Sequence, residues 1–382
     1  MKFHYTYQKR SLRIAAAFID FFGYSLFSFR RRKTINSGGI KKILVVRPDQ
    51  IGDNFLMTAF VQELKKIFKE AQIDIMAGAW AKDVWDTNPY INEFVIFNNS
   101  FLQLKGGKFN LREVIATIKK AKAKQYNLFI DSRGEPLTAL IGFCARIPFR
   151  VGFVGHGTLS FLYTHTVEYI KEKNESLKYL DILRIFKNTV SLSSPKLYPT
   201  DAELKRVEEL IISQFPRRKI IAVHLTSGAA YKIWPTENFA KLVTKIHKKH
   251  PSFNFAVLGG PNEERFYDLL QKNVSVPIHN LIGQLPLRGT YVFLSHCSLF
   301  IGNDSVLAHF AGSQNVPTVD LINIAIGGKE RGRPPGEKVY LIEGNNALHK
   351  CLTGDCFPCP HMQAITVDEV FAVCDTILSE IQ

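Results

Sequence analysis

No apolar run in this 382-residue chain is both long enough and free enough of charge to cross a bilayer comfortably. There is no short tandem repeat and no low-complexity tract. With 46% hydrophobic and 22% charged residues, disorder and a multi-span membrane protein are both disfavoured. Cysteine is scarce: six residues, four of them in the last 32, do not make a secreted disulfide scaffold, and a reducing cytoplasm is the default compartment. Acid is also in short supply, with 34 Asp and Glu against 49 Lys and Arg. The resulting +15 favours a polyanionic partner. No arginine-rich tract or zinc-finger spacing concentrates that charge for groove reading, so nucleic acid is disfavoured against an anionic lipid surface or an acidic acceptor.

The length fits two domains. The first forty residues stand apart as a basic amphipathic segment (1–40). Leu12 to Phe29 is largely apolar but carries Arg13 and Asp20 and runs into Arg30-Arg31-Arg32-Lys33. No small-residue cleavage site follows it, which argues against a signal peptide. A surface helix fits, and two placements stay open for it: on the protein's own surface or on a membrane. From Lys42 onward short β-branched runs alternate with helical periodicity, the pattern of a parallel sheet wrapped by helices. Strands are expected at 43–47, 73–77, 94–97, 128–131 and 150–153, with helices near 54–69, 110–124 and 136–146. A second series has strands at 220–225, 254–258, 279–282, 299–301 and 318–322. Its helices fall near 236–250, 262–272, 287–296, 305–314 and 367–381. The polar stretch 191–219, with one amphipathic helix over 201–215, reads as the connection. The expected fold class is α/β, with Rossmann-like domains at 41–198 and 199–382.

Four strand-to-helix junctions can carry chemistry. The first strand ends in Arg47-Pro48-Asp49-Gln50-Ile51-Gly52-Asp53, at the edge where open α/β sheets bind ligands. Gly52 stands alone there, and without G-x-G-x-x-G a nicotinamide dinucleotide site is unlikely. Asp53 either caps the following helix or serves as a general base toward a hydroxyl. Asp49 is adequately explained by a turn. In His224-Leu225-Thr226-Ser227-Gly228-Ala229-Ala230-Tyr231-Lys232-Ile233-Trp234-Pro235, small and hydroxylated residues let backbone amides approach a phosphate, and Lys232 adds positive charge. Trp234 and Pro235 read as packing and helix start. After Leu258, Gly259-Gly260-Pro261-Asn262-Glu263-Glu264 offers acids for ribose hydroxyls or for the helix dipole. The segment Gly302-Asn303-Asp304-Ser305 opens a helix whose free amides suit a diphosphate. Ser305 and His309, four apart, share a helical face, and Asp304 suits sugar hydroxyls or the orientation of its neighbours.

Taken in order, these segments resemble the ADP-heptose:lipopolysaccharide heptosyltransferase family. The matching pieces are Arg47-x-Asp49-x-Ile51-Gly52-Asp53, Tyr126 to Asp131, Arg150-Val151-Gly152-Phe153, Lys232-x-Trp234-Pro235, Leu258-Gly259-Gly260-Pro261 with Glu264, and Asn303-Asp304-Ser305 with His309. They span about residues 41 to 380. The resemblance implies a GT-B architecture of two Rossmann-like domains facing a cleft. The acceptor would lie on the first domain, near Arg47 and Asp49, and the nucleotide sugar on the second, with the last helix crossing back onto the first. It implies metal-independent, inverting transfer with Asp53 as base. The donor, ADP-heptose by that resemblance, would be held by Thr226, Ser227, Gly259, Glu264, Asn303, Asp304, Ser305 and His309, with Lys232 at the leaving diphosphate. No cofactor is implied beyond this nucleotide-sugar substrate. The acceptor would be a lipopolysaccharide core or similar glycan, at the cytoplasmic face of the inner membrane.

Two departures from the family pattern stand out: Val306-Leu307 after Asn-Asp-Ser, and the loop Gly327 to Pro335. Cys351-x4-Cys356-x2-Cys359-Pro360-His361 has the residue types of a metal site but lacks a second CxxC pair, so reduced thiols in a packed turn are the favoured state. Transfer of another sugar, transfer to protein hydroxyls, and a non-catalytic membrane scaffold stay open as alternatives. Intact Asp53, Lys232 and Asp304 argue against the scaffold.

Overall fold

The unbroken apolar runs of this chain become strands covered on both faces, as parallel sheets require. The computed structural model describes residues 10–27, 34–35, 37–98, 110–215, 219–324, 329–344 and 356–381, in two units that divide between Ser193 and Ser194. In the first, helix α1 (Arg10–Phe27) precedes β1 (Lys42–Val46), α2 (Ile51–Ile67), β2 (Gln72–Ala77), α3 (Lys82–Trp85) and β3 (Glu93–Ile96). There follow α4 (Leu111–Lys124), β4 (Leu128–Asp131), α5 (Pro136–Cys144), β5 (Phe149–Val154), β6 (His165–Glu168) and α6 (Glu175–Leu183). All strands pair in parallel, in the order β3-β2-β1-β4-β5-β6.

The second unit repeats the plan. Helix α7 (Asp201–Gln214) leads into β7 (Ile220–His224), α8 (Thr236–Lys249), β8 (Asn254–Leu258), α9 (Glu264–Lys272) and β9 (Ile278–Asn280). Next come α10 (Leu287–Ser295), β10 (Leu299–Asn303), α11 (Val306–Ser313), β11 (Thr318–Asn323), β12 (Val339–Gly344), α12 (Pro360–Gln363) and α13 (Val367–Ile381). Its parallel sheet runs β12-β11-β10-β7-β8-β9. Renumbered within its own unit, each sheet has the order 3-2-1-4-5-6. Each therefore has a switch point where consecutive connections diverge, β1 beside β4 and β7 beside β10, and ligands bind outside the carboxyl ends of strands at such points.

The expected elements are present, with ends displaced by a few residues. Five more were not anticipated, the short helices α3 and α12 among them. Strands β6 and β12 are edge strands: β6 (His-Thr-Val-Glu) has no fully buried residue and no apolar run, and β12 (Val-Tyr-Leu-Ile-Glu-Gly) is buried only at its two ends. Helix α6 follows a polar stretch; its start is marked only by Asn174, whose side chain accepts the Ser176 amide.

Two helices of the second unit pack against its other elements. Helix α7 is a packed element of the second unit: Phe215 lies against Phe293 of α10, and Glu203 pairs with Arg288 at 2.9 Å. Helix α13 lies on α8, its face Val370, Cys374, Ile377 and Leu378 buried in the same core, with Lys249 and His250 bonded to Asp375.

Candidate active site

In the first unit everything converges on Arg47. It follows β1 at the switch point, and its side chain is only 1% exposed. Burying a guanidinium without partners is costly, and this one is hydrogen-bonded through both Nη atoms and ion-paired through Nε. Nη1 donates to Ser132 O at 2.9 Å, Nη2 to Asp53 Oδ1 at 2.7 Å, and Nε faces Asp49 Oδ2 at 3.0 Å. Glu175 Oε2 lies 3.5 Å from Nη2, and the Tyr179 ring lies 5.5 Å from the guanidinium. Both partners come from α6, whose Tyr179 hydroxyl also donates to the backbone oxygen of Asp53 at 3.2 Å. Burial alone would raise the pKa of Glu175, but Arg47 and the buried Lys178, 2.8 Å away, outweigh it and hold it below the ordinary value.

Asp53 sits in the first turn of α2, which Gln50 caps without a side-chain bond. Its carboxylate is turned to Arg47, and the side chain is 28% exposed. It is thus held in one orientation with an open edge. Of the two residues expected near an acceptor, Arg47 is sealed, and the half-buried Asp49 lies between Arg47 and Arg133. Their geometry positions the Asp53 carboxylate. Of the other groups in this cluster, His156 is pushed down to about 3 by burial and by Arg133, too weak a base for proton removal near neutrality. Glu135, paired with Arg133 at 3.2 Å, is pushed up by burial and by Asp49 and Asp131, against the pull of Arg133.

The motif residues beyond this cluster are structural. Asp131 is buried and accepts the amides of Arg133 and Gly134 and the hydroxyls of Thr138 and Tyr163. Arg150 donates to the carbonyls of Leu162 and Ile147. Gly152 is needed because a Cβ there would stand 2.4 Å from the Tyr163 ring.

In the second unit the centre is His224, the last residue of β7. Its Nδ1 meets Ser305 Oγ and its Nε2 meets Thr226 Oγ1, each at 3.1 Å, while Glu263 Oε2 stands 3.4 Å from Nε2. Ser305 precedes α11 but spends its hydroxyl on His224, so the first amides of that helix carry no side-chain cap. Asn303, fully buried, accepts the Trp234 amide at 2.8 Å and reaches Thr226 O at 3.4 Å, tying β10 to the loop after β7. Ser227 Oγ donates to Asp304 O at 2.7 Å. Lys232 Nζ meets Asp304 Oδ2 at 2.5 Å. Burial disfavours the charged lysine, but Asp304 more than compensates and raises its pKa. His309 is nearly buried on α11. Trp234 is a core residue, donating to Ile365 O at 3.0 Å.

The sequence model of glycosyltransferase family 9 (heptosyltransferase) matches residues 114–324, more than half of the chain. The chain belongs to this family. Lipopolysaccharide heptosyltransferase 2 of Salmonella typhimurium is 24% identical to it over 358 residues, 89% of this chain and 99% of that protein. Among solved structures, the family 9 glycosyl transferase of Veillonella parvula superposes with a TM-score of 0.73 at 19% identity, covering 89% of this chain and 97% of that one. ADP-heptose lps heptosyltransferase II of E. coli gives 0.68 at 19% identity, covering 89% and 99%. The two sheets are therefore those of a GT-B glycosyltransferase.

Within this family 9 fold, two residues were under-read. Glu264 is exposed at the start of α9, whereas Glu263 turns inward to His224. Gly259 makes room for it: a Cβ at Gly259 would stand 2.5 Å from Glu263 Oε2. Burial would raise the pKa of Glu263, but the neighbouring His224 and Thr226 lower it. The neighbouring acids are equal in composition, and only the turn decides which one faces inward.

The other is Asp320 on β11, completely buried, with neither carboxyl oxygen hydrogen-bonded among the described residues. Burial first and the charge of Asp304 second raise its pKa far above the usual 3.8, against the pull of Lys232. A folded-state acid with a raised pKa destabilises the fold as pH climbs above its unfolded value. Asp320→Ala is therefore expected to stabilise the protein by about 1–3 kcal/mol, the gain growing as pH rises from 3.8. Urea unfolding across that range measures it, and a loss of stability at neutral pH would mean that the carboxyl is structurally required.

The metal candidates divide. Cys351 lies outside the described residues. Cys359 is buried and its Sγ receives Asn323 Nδ2 at 3.3 Å; His361 is buried in α12, and Cys356 is half-buried. No group of three metal-ligating side chains occurs among the described residues.

Proposed function

We propose that this enzyme transfers heptose from ADP-heptose to a lipopolysaccharide core or closely related glycan, with inversion at the anomeric carbon. The observation that carries this reading is the pairing of one open, rigidly oriented carboxylate, Asp53, with a separate phosphate-suited loop around Lys232, each at its own sheet's switch point. The names of the similar proteins, lipopolysaccharide heptosyltransferase 2 and ADP-heptose lps heptosyltransferase II, support the sugar, the donor and the acceptor class.

Asp53 takes the proton of an acceptor hydroxyl as that oxygen attacks the anomeric carbon. The bond to the diphosphate breaks as the new glycosidic bond forms, and negative charge collects on the leaving oxygens. Lys232, the Thr226 and Ser227 loop and the uncapped amides at the start of α11 receive that charge. Asp304 holds Lys232 in place before the donor arrives and orients the sugar hydroxyls afterwards, while Glu263, Gly259 and Glu264 take the ribose side. Asn303 and His309 support this surface from beneath. No metal or cofactor enters the scheme. The enzyme works peripherally, at the cytoplasmic face of the inner membrane where such acceptors are assembled.

A panel of nucleotide sugars tests the reading. ADP-heptose is expected to give turnover with a heptosylated acceptor as product, and Lys232→Ala to lower kcat by about 10²–10³-fold, with partial recovery in Lys232→Arg. Turnover with a different nucleotide sugar alone would change the donor, and unchanged kcat in Lys232→Ala would remove that residue from the leaving-group site.

A further inference from the structure

Helix α1 is amphipathic in an unusual sense: its acid faces inward and its large apolar residues face out. Asp20 is completely buried, accepting the Leu159 amide at 2.8 Å and the Thr158 hydroxyl at 2.9 Å. Tyr24 bonds Ser160 at 2.9 Å, Gly23 lies against the Phe161 ring, and Phe27 packs between Phe143 and Phe161 at 5.7 and 5.3 Å. Ala16, Asp20, Gly23, Tyr24 and Phe27 follow helical spacing and form the docked face.

The opposite face carries Ile14, Phe18, Phe21, Phe22 and Leu26, exposed from 50% to 76%. Five-residue apolar faces of this kind are not left to water on a helix that has already satisfied its packing. Asp20, one of the two charges that argued against a membrane span, is sealed inside the protein, so no acidic side chain remains on the outward face. Arg10 and Arg13 are exposed near its start, and the sequence continues past its end into Arg30-Arg31-Arg32-Lys33. No described helix is long and apolar enough to cross a membrane.

We infer that α1 is an anchor that lies flat in an anionic phospholipid surface, with Ile14, Phe18, Phe21, Phe22 and Leu26 buried among the acyl chains and Arg10 and Arg13 on the headgroups. The burial of Asp20 decides between the two placements open to this segment by satisfying both: one face belongs to the protein and the other to the bilayer. This inference rests on the membrane-surface part of the function proposed above, and holds whatever sugar is transferred.

The test is cosedimentation of the full chain with vesicles of phosphatidylglycerol and phosphatidylethanolamine, beside vesicles of phosphatidylcholine alone. The wild type is expected to bind the anionic vesicles in a salt-sensitive manner and the neutral ones more weakly. The double variant Phe18→Ser, Phe22→Ser is expected to bind roughly 100-fold less well, with an unchanged thermal transition and unchanged ADP binding. Arg10→Glu, Arg13→Glu is expected to weaken anionic binding selectively. Wild-type protein that ignores anionic vesicles, or a double variant that binds them equally well, would overturn the anchor. So would sedimentation showing that the face is covered by a second copy and that Phe18→Ser, Phe22→Ser only splits a dimer. Transfer to a soluble acceptor, assayed on the same samples, separates this outcome from failure of the proposed reaction: a chain that binds vesicles without transferring heptose leaves the anchor standing.

Discussion

Asp53→Ala is expected to lower kcat by about 10²–10⁴-fold while leaving the affinity for the nucleotide sugar unchanged. The residues proposed for the donor lie on the second unit and make no use of this carboxylate. The fold should tolerate the change, because Arg47 keeps Asp49, Glu175 and the Ser132 carbonyl as partners. Single-turnover kinetics at saturating donor, with donor binding measured by calorimetry, distinguish the two quantities. Glu135→Gln is the necessary comparison, since Glu135 is the other partly open carboxylate in the cluster and burial raises its pKa. A loss confined to that variant, with normal turnover in Asp53→Ala, would transfer the role of base to Glu135.

The second large effect concerns stability. Arg47→Met keeps the length of the side chain but removes the charge on which three carboxylates converge. Breaking a buried ion cluster by deleting one partner costs roughly 3–5 kcal/mol, because the remaining charges stay buried without compensation. Lys178 and Arg133 still serve Glu175 and Asp49 in the variant, which places the expectation toward the lower end. The deficit should depend on pH. Glu175 has a folded-state pKa held below the ordinary 4.5, so its contribution is fully present above 4.5 and is lost as pH falls through the folded value. The gap between wild type and Arg47→Met is therefore widest near neutrality and narrows in acid. Denaturant titrations on both sides of 4.5 measure it, and a gap of constant size would mean that packing alone, not charge, is lost.

These two expectations concern neighbouring residues of one short segment, yet they were not equally legible in the sequence. Asp53 stood out because a lone Gly-Asp after a buried strand and before a helix marks a ligand-binding edge, and its rival reading as a helix cap is excluded by a carboxylate that points to Arg47. Arg47 was placed on the acceptor side by the family resemblance alone. Nothing local shows that a guanidinium will be sealed inside, because the groups that seal it come from α6, more than a hundred residues later. The same holds for Glu263 over Glu264, decided by a turn at Gly259, and for Asp320, whose isolation depends on what packs over β11.

Periodicity and apolar runs, which are properties of contiguous residues, determined that this chain is α/β, that it holds two similar series of strands, and where the strand-to-helix loops fall. The family resemblance was legible for the same reason, since its motifs are short and local. Tertiary structure alone decided which charges meet. Ion pairs join residues distant in sequence, desolvation depends on every element that packs around a group, and a helix such as α1 reveals which face is polar only when its partner is in place. There the acid that spoke against a membrane span in the sequence belongs to the protein's interior.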